Sequence, residues 1–516
     1  MKKIFIVFIV FITGIITFSC SDFLHETNPN RIELPDYFQT EMDAERAVNA
    51  IYLAIRSNNA MGEGSWQFTE DRSDNVGTLD AQSNAGVQFE FTNFTLVSTN
   101  PNLRSHWNAL FTAITRSNFV LDNIDNARFT NEENRETLRA EALFLRAYVY
   151  LHAVRKWGDL PLITKYFLTI EDVNAHTFRE KKELVYAQIV SDLTDALKST
   201  GLPNHQPTAG KGRASKAAIN AVLGEAYLTM AATLAENKAQ NLAQAKKYLE
   251  DAYNMRTFGD LKDIPYEDVF DVAQKNTNPE IIFQIRYIQG DQNHSSAIAR
   301  NTQPANTSIN SLFNSTGTGT YVNLSIIKEY ENDDLRKAFS VQPQPNAPDG
   351  SGQWHISKFR DRSASAGTLG RGGNDYILKR YADVILMLAE VHMLLGEEPQ
   401  AIAYLDMVRE RAGLPGYMAM QSDADYTAKY PTLKLAILHE RRVELAFENH
   451  RWFDLLRFFN IEELTAHYHS IDMSDYGGLA DPKNFGPKDI YYPIPFDEEK
   501  LDPVRMYQNP GYEAIN

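Results

Sequence analysis

Apolar residues recur at intervals of three and four through residues 41–57, 104–127, 133–157 and 181–199. This spacing predicts four amphipathic helices, and the frequent Ala, Leu and Glu inside them favour the same state. The pattern changes between residues 258 and 376. Glu280 to Tyr287 reads as a strand, and two long polar stretches, 289–320 and 341–375, are rich in Asn, Ser, Thr, Gly and Pro. Irregular segments of that length inside a globular chain tend to be binding loops. Residues 21–40 read as extended, and residues 471–516, with Tyr491-Tyr492-Pro493-Ile494-Pro495, as an irregular tail laid over the body.

Two stretches carry a finer helical pattern, with small residues where two helices cross and large ones around them. In residues 388–408, Leu388, Ala389 and His392 fall on one helix, Gly396 in the turn, and Ala401, Leu405 and Val408 on the next. In residues 223–252 the same places are taken by Leu223, Gly224 and Tyr227, then Ala245, Leu249 and Ala252. A weaker pair runs through Ala147 and Tyr150 with Leu193 and Ala196. This is the pattern of the ~34-residue tetratricopeptide unit. Three instances predict a mainly α chain built on a helical-repeat scaffold.

The N-terminus carries an address. Lys2 and Lys3 precede an apolar run from Ile4 to Ile16, too short to span a bilayer comfortably. Residues 1–19 therefore read as a signal peptide. Cys20, the single cysteine, follows it directly and has no partner for a disulfide. Thr17-Phe18-Ser19-Cys20 resembles a bacterial lipobox, with Thr17 in place of the usual Leu. Cys20 is thus the expected lipid anchor; ordinary cleavage beside an incidental cysteine is the alternative. Acyl chains contribute about 0.8 kcal/mol per buried CH₂, so a diacylated cysteine anchors stably. Nothing later reads as a transmembrane helix. The expected organisation is a signal peptide at 1–19, an N-terminal helical region at 20–257, and a C-terminal region at 258–516 that includes the loop-rich insertion 258–376. Residues 21–516 are expected to form one compact unit.

The formal net charge of −16 and the absence of a Lys/Arg block argue against nucleic acid and against adsorption to an anionic membrane. An 11% aromatic content serves a core and a sugar-stacking surface equally well and separates neither. Most catalytic signatures are missing. There is no G-x-S-x-G elbow, and Gly210-Lys211 lacks the flanking residues of a phosphate loop. His439-Glu440 begins like a zinc-protease helix, but Val443 stands where the second His belongs. One cysteine rules out C-x-x-C sites, and there is no EF-hand pattern, so no cofactor is expected and bound Ca²⁺ is not indicated. Glu440, Glu444 and Glu448 share one helix face among Arg441, Arg451 and Asp454. Paired carboxylates could serve a glycosidase, but a row at i, i+4 interleaved with arginines favours a structural ion-pair network.

The same stretch carries a family resemblance. Glu440-Arg441-Arg442-x-Glu444-Leu445-Ala446-Phe447-Glu448 continues through Arg451-Trp452-Phe453-Asp454-Leu455-x-Arg457. Before it stand Arg380-Tyr381-Ala382-Asp383 and Val408-Arg409-x-Arg411-Ala412-Gly413-Leu414-Pro415; after it, Pro493-Ile494-Pro495 and Gln508-Asn509-Pro510-Gly511-Tyr512. Cys20-Ser21-Asp22-Phe23-Leu24, Arg139-Ala140-Glu141-Ala142 and Trp157-Gly158-Asp159-x-Pro161-Leu162 add to it. In this order the strings resemble the SusD/RagB family. The resemblance implies a right-handed superhelix of tetratricopeptide-like helix pairs with a loop-rich, partly β ligand face. It also implies a lipoprotein of a Gram-negative outer membrane, facing the exterior and lying as a lid on a SusC-type TonB-dependent transporter. Such a protein captures oligosaccharides and hands them on without catalysis; the RagB branch takes peptides. A surface glycoside hydrolase and a pure assembly scaffold rank below these.

Glycan recognition needs aromatic platforms with Asn, Asp and Arg around them. Two segments qualify. Gly62 to Asn75 offers Trp66, Asp71, Arg72 and Asp74, and in the family this region contributes to the ligand face. The second surrounds Trp354, with His355 and Arg360, while Tyr321 and Asn323 follow the other polar loop. For both tryptophans a loop-anchoring role stands beside sugar stacking. For Asp71, Arg72 and Asp74 a bracing ion pair is the stronger reading. Trp107, Trp157 and Trp452 read as core.

Overall fold

The computed structural model describes residues 37–77, 86–304, 306–313, 321–344, 353–477 and 479–515. Cys20 and residues 1–19 lie outside the described residues.

Ten helices build the scaffold: α1 (Glu41–Ile55), α2 (Pro101–Asn123), α3 (Glu132–Trp157), α4 (Lys182–Ala196), α5 (Lys216–Thr233), α6 (Lys238–Asn254), α7 (Tyr381–Leu394), α8 (Glu398–Arg411), α9 (Leu433–Glu444) and α10 (Arg451–Phe458). Local chemistry starts several of them. Thr40, Asn100, Asn131, Ser215 and Thr432 each accept a hydrogen bond from a backbone N–H in the first turn, and Pro101 adds the favoured N1 proline. The starts at Glu41, Pro101, Glu132 and Lys182 fall within three residues of those the periodicity predicts.

The helices stack in tetratricopeptide-like pairs: α3 against α4, α5 against α6, α7 against α8, with α6 packed on α7 and α9 closing over α7 and α8. The small residues sit at the crossings. A Cβ added at Gly224 would stand 2.5 Å from Cγ of Leu249, so this glycine sets how closely α5 and α6 approach. Gly396 takes φ 77° between α7 and α8, a conformation that L side chains rarely adopt. Ala401, Leu405 and Val408 close the α7–α8 crossing in the interior. We expect Gly224→Ala to destabilise the protein by about 1–3 kcal/mol through overpacking, despite the helix propensity of Ala, read as a lower denaturation midpoint.

The β content is small. Six strands serve the site: β1 (Val76–Gly77), β2 (Ile281–Ile285), β3 (Tyr321–Val322), β4 (Val341–Pro343), β5 (Trp354–Ile356) and β6 (Tyr376–Arg380). The strand expected over Glu280 to Tyr287 is β2. Its partner β6 runs antiparallel to it and leads straight into α7, so the ends of the loop-rich region are clamped to the scaffold. The other four strands form one antiparallel sheet in the order β1-β3-β5-β4. The tail after residue 470 consists of turns and single-turn helices, as its composition predicts.

Candidate ligand-binding face

The Glu440, Glu444 and Glu448 row of the C-terminal motif lies in the interior. Glu444 meets Arg380 at 2.6 Å and Arg336 at 3.0 Å, and Arg411 closes on it from α8. Glu280, at the start of β2, shares Arg380 and Arg411. Glu440 takes Arg336 and Arg409, and Glu448 takes Lys358 at 2.5 Å and Arg380 at 2.7 Å. Burial alone would raise the Glu444 pKa; Arg411, Arg380 and Arg336 outweigh it and hold the carboxyl well below its usual range. This network fastens helices and strands together; its carboxylates are buried, and Glu448 also lines a small cavity of about 20 Å³.

The segment Gly62 to Asn75 is drawn into the same interior. Asp74 receives two hydrogen bonds from Arg451, at 2.7 and 2.8 Å, and one contact from His467 at 2.9 Å. Arg442 donates to the Asp74 carbonyl at 2.8 Å and to Asn75 Oδ1 at 2.9 Å. Arg72 donates to the Asp489 carbonyl at 2.5 Å and lies over the rings of Phe94, Tyr492 and Trp452. Asp71 accepts from Gln88 at 2.8 Å, and burial pushes its pKa up to about 6. Beside it, burial raises the Glu70 carboxyl to about 7. Trp66 donates from Nε1 to the Tyr376 hydroxyl at 2.7 Å and packs on Phe359. Trp66, Asp71, Arg72 and Asp74 are all buried. Inside the protein the Trp66 indole N–H meets Tyr376, Asp74 meets Arg451, Arg72 lies 3.5 Å from the Asp489 carboxylate, and among the described residues Asp71 accepts only from the neutral amide of Gln88.

The β1-β3-β5-β4 sheet gathers the other candidates. Val76 and Gly77 pair with Val322 and Tyr321, and these pair with Trp354 and His355. Asn323, following β3, donates its backbone N–H to the Asn75 carbonyl at 2.9 Å and its Nδ2 to the Val76 carbonyl at 3.2 Å. Asn323 and His355 are both buried, and among the described residues Asn323 Oδ1 and both ring nitrogens of His355 have no hydrogen-bond partner. Burial, reinforced by Arg360, lowers the His355 pKa to about 4, so the imidazole is neutral at pH 7. Arg360 is half-buried; it donates to the Ser357 carbonyl at 2.7 Å and the Phe339 carbonyl at 3.0 Å, over the Phe339 ring. Trp354 is different. Of the five tryptophans, Trp66, Trp107, Trp157 and Trp452 are buried, and Trp354 alone is partly exposed, packed on one side against the core.

A concavity that the sequence did not reveal lies between α2 and residues 161–177. It encloses about 610 Å³ and is lined by Trp107, Phe111, Phe119 and Tyr166, with Asn108 and Arg116 among the polar groups. The i, i+4 pair Trp107 and Phe111 was its available signal, but one aromatic face of a helix looks the same whether it meets a core or a cleft.

Comparison with known proteins agrees with this architecture. Residues 338–512 match the model of the SusD family, and residues 22–228 match a second model described as starch-binding and associating with the outer membrane. The chain belongs to the SusD family. The SusD-like protein P2 of Formosa agariphila is 28% identical over 99% of this chain and 100% of its own length. A laminarin-binding SusD-like protein of known structure superposes with a TM-score of 0.73 at 25% identity, covering 92% of this chain and all of its own. A SusD superfamily protein from Parabacteroides distasonis gives a TM-score of 0.74 at 21% identity over 92% of this chain and 99% of its own. The SusD-type scaffold thus accounts for both the helix pairs and the buried C-terminal motif. No helix among the described residues is long and apolar enough to cross a membrane.

Proposed function

We propose that this protein is a non-catalytic, lipid-anchored surface protein that captures oligosaccharides and delivers them to a SusC-type TonB-dependent transporter. The observation that carries the reading is the partly exposed Trp354, set on a small sheet beside Tyr321, Asn323 and His355. An indole left in part to solvent loses burial energy that the other four tryptophans gain, and the apolar face of a sugar ring is a fitting partner for it. Family membership and the laminarin-binding relative support a glycan ligand. Anchoring through Cys20 supplies the membrane attachment, and the helix pairs supply a surface for the transporter. The motif carboxylates do not suit a glycosidase, because arginines hold them in the interior.

A binding screen of residues 21–516 against glycan and peptide libraries, with product analysis on the same samples, tests this. Saturable binding of one glycan class without product is expected. Binding of peptides alone would move the protein to the RagB-like branch, and released sugar would overturn the non-catalytic reading. Trp354→Ala is expected to weaken glycan binding about tenfold, ~1.4 kcal/mol, in a protein that remains folded. An unchanged affinity would remove Trp354 from the site.

A further inference from the structure

The chain carries an excess of negative charge, yet one cleft is ringed by cations. Arg56, Lys211, Arg213, Arg286 and His294 line a concavity of about 340 Å³ between the end of α1, the turn before α5 and strand β2. No Asp or Glu is among its lining residues. The His294 ring contacts Asp291 at 2.9 Å. Two of the four cations are answered from behind: Glu141, itself buried, meets Arg213 at 3.0 Å, and Asp375 stands 3.9 Å from Arg286. The other two are not. The only polar contact of the Lys211 ammonium among the described residues is the Ile281 carbonyl at 3.3 Å, and burial pushes its pKa down. The half-buried Arg56 guanidinium has no ion pair and no hydrogen bond among the described residues.

A partly desolvated cation without a counter-ion is costly, and an anion brought into the cleft offsets that cost. The low-dielectric walls strengthen the attraction, because a lined cleft focuses the field against the charge of the whole molecule. The cleft also has a place for a ring. Tyr52, Leu53 and Ile285 line it beside the cations, and Leu53 is 52% exposed. Its volume falls within the range of small-molecule sites, so it suits a short segment of a chain.

We propose that this cleft binds the anionic group of an acidic oligosaccharide, a sulfate ester or a uronate carboxylate, with Arg56 and Lys211 as its counter-charges and Tyr52 and Leu53 carrying the ring. The inference rests on the glycan-capture reading and adds an ionic subsite to it, built from residues other than those of the Trp354 sheet. Arg213 and Arg286 hold the rim through their own partners.

Isothermal titration of residues 21–516 tests it, using a sulfated galactan hexasaccharide, a hexagalacturonate, the neutral counterpart of each, and hexaglutamate. One of the two acidic sugars is expected to bind at least tenfold more tightly than its neutral counterpart and to weaken with added salt. Which of them does so separates sulfate from carboxylate. The double variant Arg56→Ala, Lys211→Ala is expected to lose that tenfold advantage while retaining its melting temperature and the neutral-sugar affinity, and Lys211→Arg to keep it. Equal affinity for acidic and neutral sugars, or an advantage untouched in the double variant, overturns the cleft assignment and leaves glycan capture standing. Binding of hexaglutamate as tight as that of the sugars overturns the sugar class. If no glycan of either kind binds, the capture reading itself fails, and the inference with it.

Discussion

Replacing Glu444 with alanine is expected to destabilise the protein by about 3–5 kcal/mol, the usual cost of removing one partner from a buried ion pair. The reason is what remains behind. Arg336, Arg380 and Arg411 all direct donors at this one carboxylate, and each is buried. Glu280, Glu440 and Glu448 share the arginines but cannot take up all the vacated donors. Four separate segments meet at Glu444: β6, α8, α9 and the short helix Leu335–Ser340 that carries Arg336. Denaturant unfolding of the variant should show a lower midpoint with little change of slope. A midpoint within the error of the parent would mean that the network is dispensable, and that the motif is kept for another purpose.

Asp74→Ala is expected to cost a similar ~3–5 kcal/mol and, in addition, to loosen the ligand face. The loss frees Arg451 and His467 and removes the carboxylate 3.3 Å from Arg442. It also unpins the residue that leads into β1, the strand that pairs with β3 beside Trp354. The pH dependence has a definite sign. Burial opposes the Asp74 charge, but Arg442 and Arg451 outweigh it and hold the folded-state pKa well below its ordinary value. Stability from Asp74 is therefore fully present above the unfolded-state pKa, about 3.9, and is lost as pH falls below that value through the folded-state pKa. The parent should lose stability steeply below about pH 4, and Asp74→Asn should lack that component of the acid transition. Identical acid profiles for the two proteins would show that Asp74 is not the charge that matters there.

These two predictions mark the boundary between what was legible in the chain and what was not. The helix pairs were legible because their causes are local. Asn100 caps the helix that begins at Pro101, Gly396 turns between two helices a few residues apart, and Gly224 and Leu249 sit at a fixed repeat spacing. The structural role of the Glu440–Glu448 row was legible for the same reason, since arginines alternate with the carboxylates on one helix face. The ligand face was legible only in part. Trp66 and Trp354 stand in similar polar surroundings in the sequence, yet one is buried and the other partly exposed. Trp66 is drawn inward by Tyr376, 310 residues away, and Asp74 by Arg451, 377 residues away. No window along the chain contains both members of either pair.

The amino-acid sequence by itself determined the helical pattern, the repeat pairs and the family, because periodicity and motif order are properties of neighbouring residues. Tertiary structure alone decided which charges of the 62–75 segment are spent inside, which tryptophan is left partly exposed, and that Arg56, Lys211 and Arg286 meet in one cleft. Burial and ion pairing depend on which distant segments arrive at the same place, and that is settled only when the whole chain packs.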